Sequence, residues 1–184
     1  MDKKPIDGTA GTLTDAVRRA QHVLRRRPDM GAHDDAPATA RWQGNTRVVA
    51  MHANGTALPT DMPNEVGGTG DQVTPGWLFR AGLASCAATS IAMTAAAEGI
   101  ALTELEVRAS SRSDTRGLLG MTDVDGAPVY AGPSDVRLHV RIAAAGVDAA
   151  QLRALVERGY RCSPVPNAVA NVSPVDLRID VVRN

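Results

Sequence analysis

The stretch GGTGDQVTPGWLFRAGLASCAATSIAMTAAAEGIALTELEV, residues 67–107, decides the fold. Thr74-Pro75 reads as a helix start: the Thr side chain accepts from an unpaired first-turn N–H, and Pro at the first helical position gives up an N–H that has no partner there. Gly99, directly after Glu98, supplies the stop, because glycine readily takes the left-handed conformation that ends a helix. The helix between them spans about 24 residues and is rich in small residues nearly all the way round, so other structure has to enclose it. The run Ala81–Ala97 is uncharged, but Gly82, Ser85, Thr89, Ser90 and Thr94 interrupt it and its length is at the lower limit for crossing a bilayer. A buried helix of a soluble protein is expected, with no membrane partner.

Upstream, Arg41 to Met51 alternates around Trp42, Val48 and Ala50, and Asn54-Gly55 is a two-residue turn signal leading into Thr56–Asp61, so the main domain opens with a β-hairpin. Downstream come three alternating segments: Leu105, Val107, Ala109; Val136, Leu138, Val140, Ile142; and Val175, Leu177, Ile179, Val181. Each predicts a strand with one apolar and one polar face. Between the last two lies a helix opened by Asp148, with Leu152, Leu155 and Val156 on one face and Gly159 near its end. Strands and helices do not alternate regularly enough for a doubly wound parallel sheet, which leaves an α+β architecture with antiparallel sheets.

Near the start, Leu13, Val17, Ala20 and Leu24 recur at helical spacing after Thr12, and Arg25, Arg26 and Arg27 precede the stop at Pro28. Residues 28–40 have linker composition. His33 beside Asp34 and Asp35 makes a weak metal set, and a solvated loop is expected instead. The organisation is then an N-terminal helix and linker, residues 1–40, followed by one domain, residues 41–184. Lysine plus arginine and aspartate plus glutamate both number 20, so no net field draws nucleic acid. The first dozen residues lack the apolar run of a secretory signal, which makes the cytoplasm the expected compartment. In that reducing setting the two cysteines, Cys86 and Cys162, are read as buried inert thiols or as redox chemistry.

The quoted stretch resembles the OsmC/Ohr family signature: a Gly-rich loop, Thr-Pro, an apolar helix with Ala-Ser-Cys at its centre, then Gly-Ile and a strand. Cys162-Ser163-Pro164-Val165, followed by a final strand, echoes the family's second motif, and Arg41-Trp42-Gln43-Gly44 fits its first strand. The resemblance implies an intertwined homodimer, with antiparallel sheets wrapped around the long helices. It also implies reduction of small organic hydroperoxides: a cysteine thiolate becomes a sulfenic acid, a second cysteine resolves it as a disulfide, and an external dithiol restores the thiols, with no cofactor. Cys86 matches the reacting cysteine. Cys162 lies one residue before the second cysteine's place, which Ser163 holds, and a one-residue slip on a helix turns a side chain by about 100°. The family carboxylate before the first cysteine is replaced by Gly76-Trp77. An arginine near the sulfur favours the thiolate; Arg47 is the candidate carried forward, with Arg41, Arg80 and Arg116 as others. The departures keep a second reading open, a dimeric protein of the same fold that binds an apolar ligand without turnover, with Cys86 a small buried hydrophobe.

Overall fold

The structure is a computed structural model that describes residues 12–171 and 173–182. The expectation about a secretory signal concerns residues that, Thr12 apart, lie outside the described ones. Helix α1 (Leu13–Arg26) begins where Thr12 accepts from the Asp15 N–H, and it lays the buried Val17 against the long helix.

The first strands differ from the expectation. What reads as one strand is two, β1 (Thr39–Gly44) and β2 (Arg47–Met51), joined at Gly44 and Asn45, both of positive φ. Gly and Asn tolerate that left-handed backbone, so the chain reverses here as well as at Asn54-Gly55. The second turn leads to β3 (Ala57–Thr60), and the result is a three-stranded antiparallel sheet in the order β1-β2-β3. β1 also takes Thr39 and Ala40 from the expected linker. A Gly-rich loop then returns along β3, where the Asp61 N–H bonds the Val73 carbonyl at 3.1 Å.

Helix α2 (Pro75–Glu98) has the expected bounds: Thr74 caps its start through the Trp77 N–H, and Gly99, at φ 73°, closes its end. Of its buried residues, Leu83, Ala87, Ile91 and Ala95 form one stripe at i, i+4 spacing, and Ala96 adjoins its end. Enclosure is therefore one-sided within a single chain, and the sheets do not wrap the helix there. The stripe is covered by the second sheet, by α4 (Ala149–Arg161) and by α5 (Pro164–Ala170). That sheet is an antiparallel pair, β4 (Leu102–Arg112) with β5 (Ser134–Ala144). Its register sets Leu105 opposite Ile142, Val107 opposite Val140 and Ala109 opposite Leu138, so the apolar sets share one face. The connection between them carries the short α3 (Thr115–Leu118).

Helix α4 opens with a capping box, Asp148 with Gln151, and crosses α2 at Gly159. A side chain at Gly159 would put its Cβ 2.7 Å from the Ile91 Cα, so only glycine permits this approach. The expected last strand is not formed: residues 173–182 carry no regular secondary structure, and Val175 is 91% exposed. Alternation makes a segment able to pair, but a strand also needs a neighbouring edge, and none meets it among the described residues.

Candidate functional site

Cys86 lies at the middle of α2, half-buried, and its thiol is free. The chain returns to it at the junction of α4 and α5. Ser163 Oγ donates to Cys86 Sγ at 3.3 Å, and the Val165 backbone N–H donates to the same sulfur at 3.4 Å. Ser163 has no solvent exposure. Its position is fixed on both sides: the Gly159 crossing brings α4 onto α2, and Asn167 Nδ2 bonds the Arg161 and Ser163 carbonyls at 2.9 and 2.8 Å. Donors pointed at a sulfur stabilise negative charge on it.

Cys162 does not join this group. It caps the end of α4, is exposed, and lines a groove of about 660 Å³ between α1 and α2 with Val17, Leu24, Ser90 and Met93. The one-residue offset expected to matter does so: the side chain aimed at Cys86 is that of Ser163.

Arg47 serves a different structure. Its Nη2 bonds Asp61 at 3.2 Å, Thr69 Oγ1 at 2.8 Å, and Asp71 more closely. Asp61, 2% exposed, also accepts from Thr46 Oγ1 at 2.5 Å and from the Met62 and Thr69 N–H groups at 2.8 and 3.0 Å. The Thr46 hydroxyl first, then the Thr69 N–H and hydroxyl, hold the Asp61 carboxyl far below the usual carboxylate range. The Thr69 hydroxyl and Arg47 lower that of Asp71, and Asp71 above all raises Arg47. So within one chain the expected activating arginine pins the loop after β3, and its hydrogen bonds and ion pairs do not reach Cys86. Arg80 Nη1 contacts Ser111 Oγ at 3.5 Å on β4, and Arg116 pairs with Asp114 at 2.6 Å.

The depressed Asp61 carboxyl makes a pH prediction. A group whose folded value lies below its unfolded one stabilises above the unfolded value, about pH 4, and loses that contribution as pH falls toward the folded value. The melting temperature should therefore fall as pH drops below about 4. Asp61→Asn should lower it by about 2–4 °C at pH 7 and flatten the acid slope. Thermal melts from pH 7 to 2.5 check this, and parallel acid slopes in the two proteins would contradict it.

Two features of the site were not read from the sequence. In the sequence Ser163 reads as a missing cysteine and not as a donor, and Asp61 belongs to no motif that marks it. The face of α2 that carries Leu83, Ala87 and Ile91 lines, with β5, α4 and α5, an open apolar cavity of about 430 Å³, to which Leu138, Val140, Tyr160 and Val169 also contribute; Cys86 is not among the residues that line it. Among the described residues, no cluster of histidine, cysteine and carboxylate side chains suits a metal ion.

A long helix carrying a free cysteine, packed on an antiparallel pair and met by donors from the α4–α5 junction, together with a second, three-stranded antiparallel sheet, defines an α+β protein of the OsmC-like fold. The chain belongs to the OsmC-like protein family, whose profile matches residues 68–178. Among solved structures it is similar to an OsmC-like protein from Mycoplasma pneumoniae, at TM-score 0.63 and 18% identity over 77% of this chain and 91% of that one. It is also similar to an organic hydroperoxide resistance protein from Elizabethkingia anophelis, at TM-score 0.58 and 23% identity, covering 78% and 93%. A third, the organic hydroperoxide resistance protein OsmC from Legionella pneumophila, gives 0.52 and 24%, covering 75% and 90%. No curated protein matches the sequence.

Proposed function

We propose that this protein is a thiol-dependent reductase of small organic hydroperoxides, acting as a cytoplasmic homodimer in defence against oxidative stress, with Cys86 as nucleophile. The observation that carries the reading is the free Cys86 thiol, met by Ser163 Oγ and the Val165 N–H, on a helix whose next residue, Ala87, lines an apolar cavity. The Cys86 thiolate attacks the peroxide oxygen, the O–O bond breaks, and the alcohol leaves with a proton while Cys86 becomes a sulfenic acid. An external dithiol returns the thiol. The hydroperoxide-resistance names of the Elizabethkingia and Legionella neighbours agree with this chemistry.

Dimerisation is supported by what one chain leaves uncovered. Trp42 is 72% exposed, Val175, Leu177, Ile179 and Val181 lie open on a segment without regular structure, and the outer edge of β5 has no partner among the described residues. Apolar surface and a free edge of this kind favour association. A second reading, an apolar-ligand protein without turnover, draws on the same cavity, whose lining is mostly aliphatic.

Turnover separates the two. With cumene hydroperoxide and dithiothreitol, the wild-type protein should consume peroxide catalytically. Consumption no faster than dithiothreitol alone, together with saturable binding of an apolar fluorophore, would favour the ligand reading.

A further inference from the structure

Resting on the peroxidase reading, we propose that Ser163 has replaced the resolving cysteine with a hydrogen-bond donor, so that oxidised Cys86 forms no internal disulfide and is resolved directly by an external dithiol. The geometry is specific. Of the segment Cys162–Val165, the groups that reach Cys86 Sγ are the Ser163 hydroxyl at 3.3 Å and the Val165 N–H at 3.4 Å. Ser163 is fully buried, so its hydroxyl needs a partner inside the protein, and the sulfur is that partner. Cys162 is exposed in the groove beneath α1. A disulfide requires Cβ atoms about 3.5–4.5 Å apart with matched directions. Adjacent residues at the end of a helix point about 100° apart, so the residue whose side chain meets Cys86 leaves the other turned away.

The reaction balances as follows. The Cys86 thiolate, ROOH and a proton give the Cys86 sulfenic acid and ROH. One thiol of the dithiol then displaces water to form a mixed disulfide with Cys86. Its second thiol displaces the Cys86 thiolate, leaving the cyclic disulfide of the reductant. The Ser163 donor serves the first and last steps, in which the sulfur carries negative charge as nucleophile and as leaving group.

The test uses the full chain and two readouts. After one equivalent of cumene hydroperoxide, mass spectrometry should find a dimedone-trappable sulfenic acid on Cys86 and an unmodified Cys162, in the wild type and in Cys162→Ser alike. Ser163→Cys should instead close an internal disulfide between positions 86 and 163. In Ser163→Ala, alkylation of Cys86 by iodoacetamide at pH 7 should slow about tenfold, its rate-versus-pH curve lying to the alkaline side of wild type. A Cys86–Cys162 disulfide in the wild type would overturn the proposal, as would superimposable alkylation curves. Alkylation needs no peroxide, so a wild-type thiol that ignores hydroperoxide while Ser163→Ala still slows alkylation defeats the peroxidase reading and spares the role of Ser163.

Discussion

Cys86→Ser should reduce the turnover of cumene hydroperoxide by a factor of about 10³ or more, to the rate of the external thiol alone. A serine hydroxyl nearly keeps the shape of the thiol and still accepts from Ser163 and the Val165 N–H, so the fold should survive. What disappears is the nucleophile: at neutral pH a hydroxyl is protonated and attacks a peroxide oxygen poorly, whereas a thiolate is a strong nucleophile. Cys162→Ser, altering a thiol that lies in the α1 groove, should retain wild-type turnover. The dithiothreitol-linked assay with both variants reads this directly. Residual turnover in Cys86→Ser near the wild-type rate would move the chemistry elsewhere.

Gly159→Val should cost about 3 kcal/mol, a fall in melting temperature of about 6–12 °C for a chain of this size. The added Cβ would sit 2.7 Å from the Ile91 Cα and 2.9 Å from its Cγ1, and the first of these is backbone in the middle of α2. The two helices would have to separate. Because α4 delivers Ser163 to Cys86, the separation should also slow iodoacetamide alkylation of Cys86. Circular dichroism melts and alkylation rates on the same samples check both effects. A melting temperature within a degree of wild type would show that the helices have slack at this crossing.

How much of this was legible in the sequence follows from how local each cause is. Thr74-Pro75 and Gly99 act on their own helix ends, and α2 has the bounds they mark. The alternation of Leu105, Val107 and Ala109 and of Val136 to Ile142 is equally local, and β4 and β5 pair those residues face to face. Gly44-Asn45 is a weaker turn signal than Asn54-Gly55, and the chain turns at both. The segment from Val175 to Val181 has the pattern of a strand but pairs with no other segment among the described residues, since pairing belongs to two segments and not to one. The same distinction runs through the site. Cys86 stood out by its place in a motif, whereas the role of Ser163 depends on packing between residues far apart in the chain, which no spacing encodes. Arg47 is the reverse case: a charge expected at the sulfur is held by Asp61 and Asp71, two carboxylates that no motif had marked as its partners.

The most direct test of the central claim is the rate at which the Cys86 thiol is lost when cumene hydroperoxide is mixed with the fully reduced protein, followed by rapid quench and mass spectrometry. The account predicts loss at Cys86 orders of magnitude faster than for free cysteine, one equivalent per chain, with Cys162 unmodified. Loss of Cys86 at the rate of free cysteine would contradict it, leaving a member of the OsmC-like family that does not carry out this chemistry.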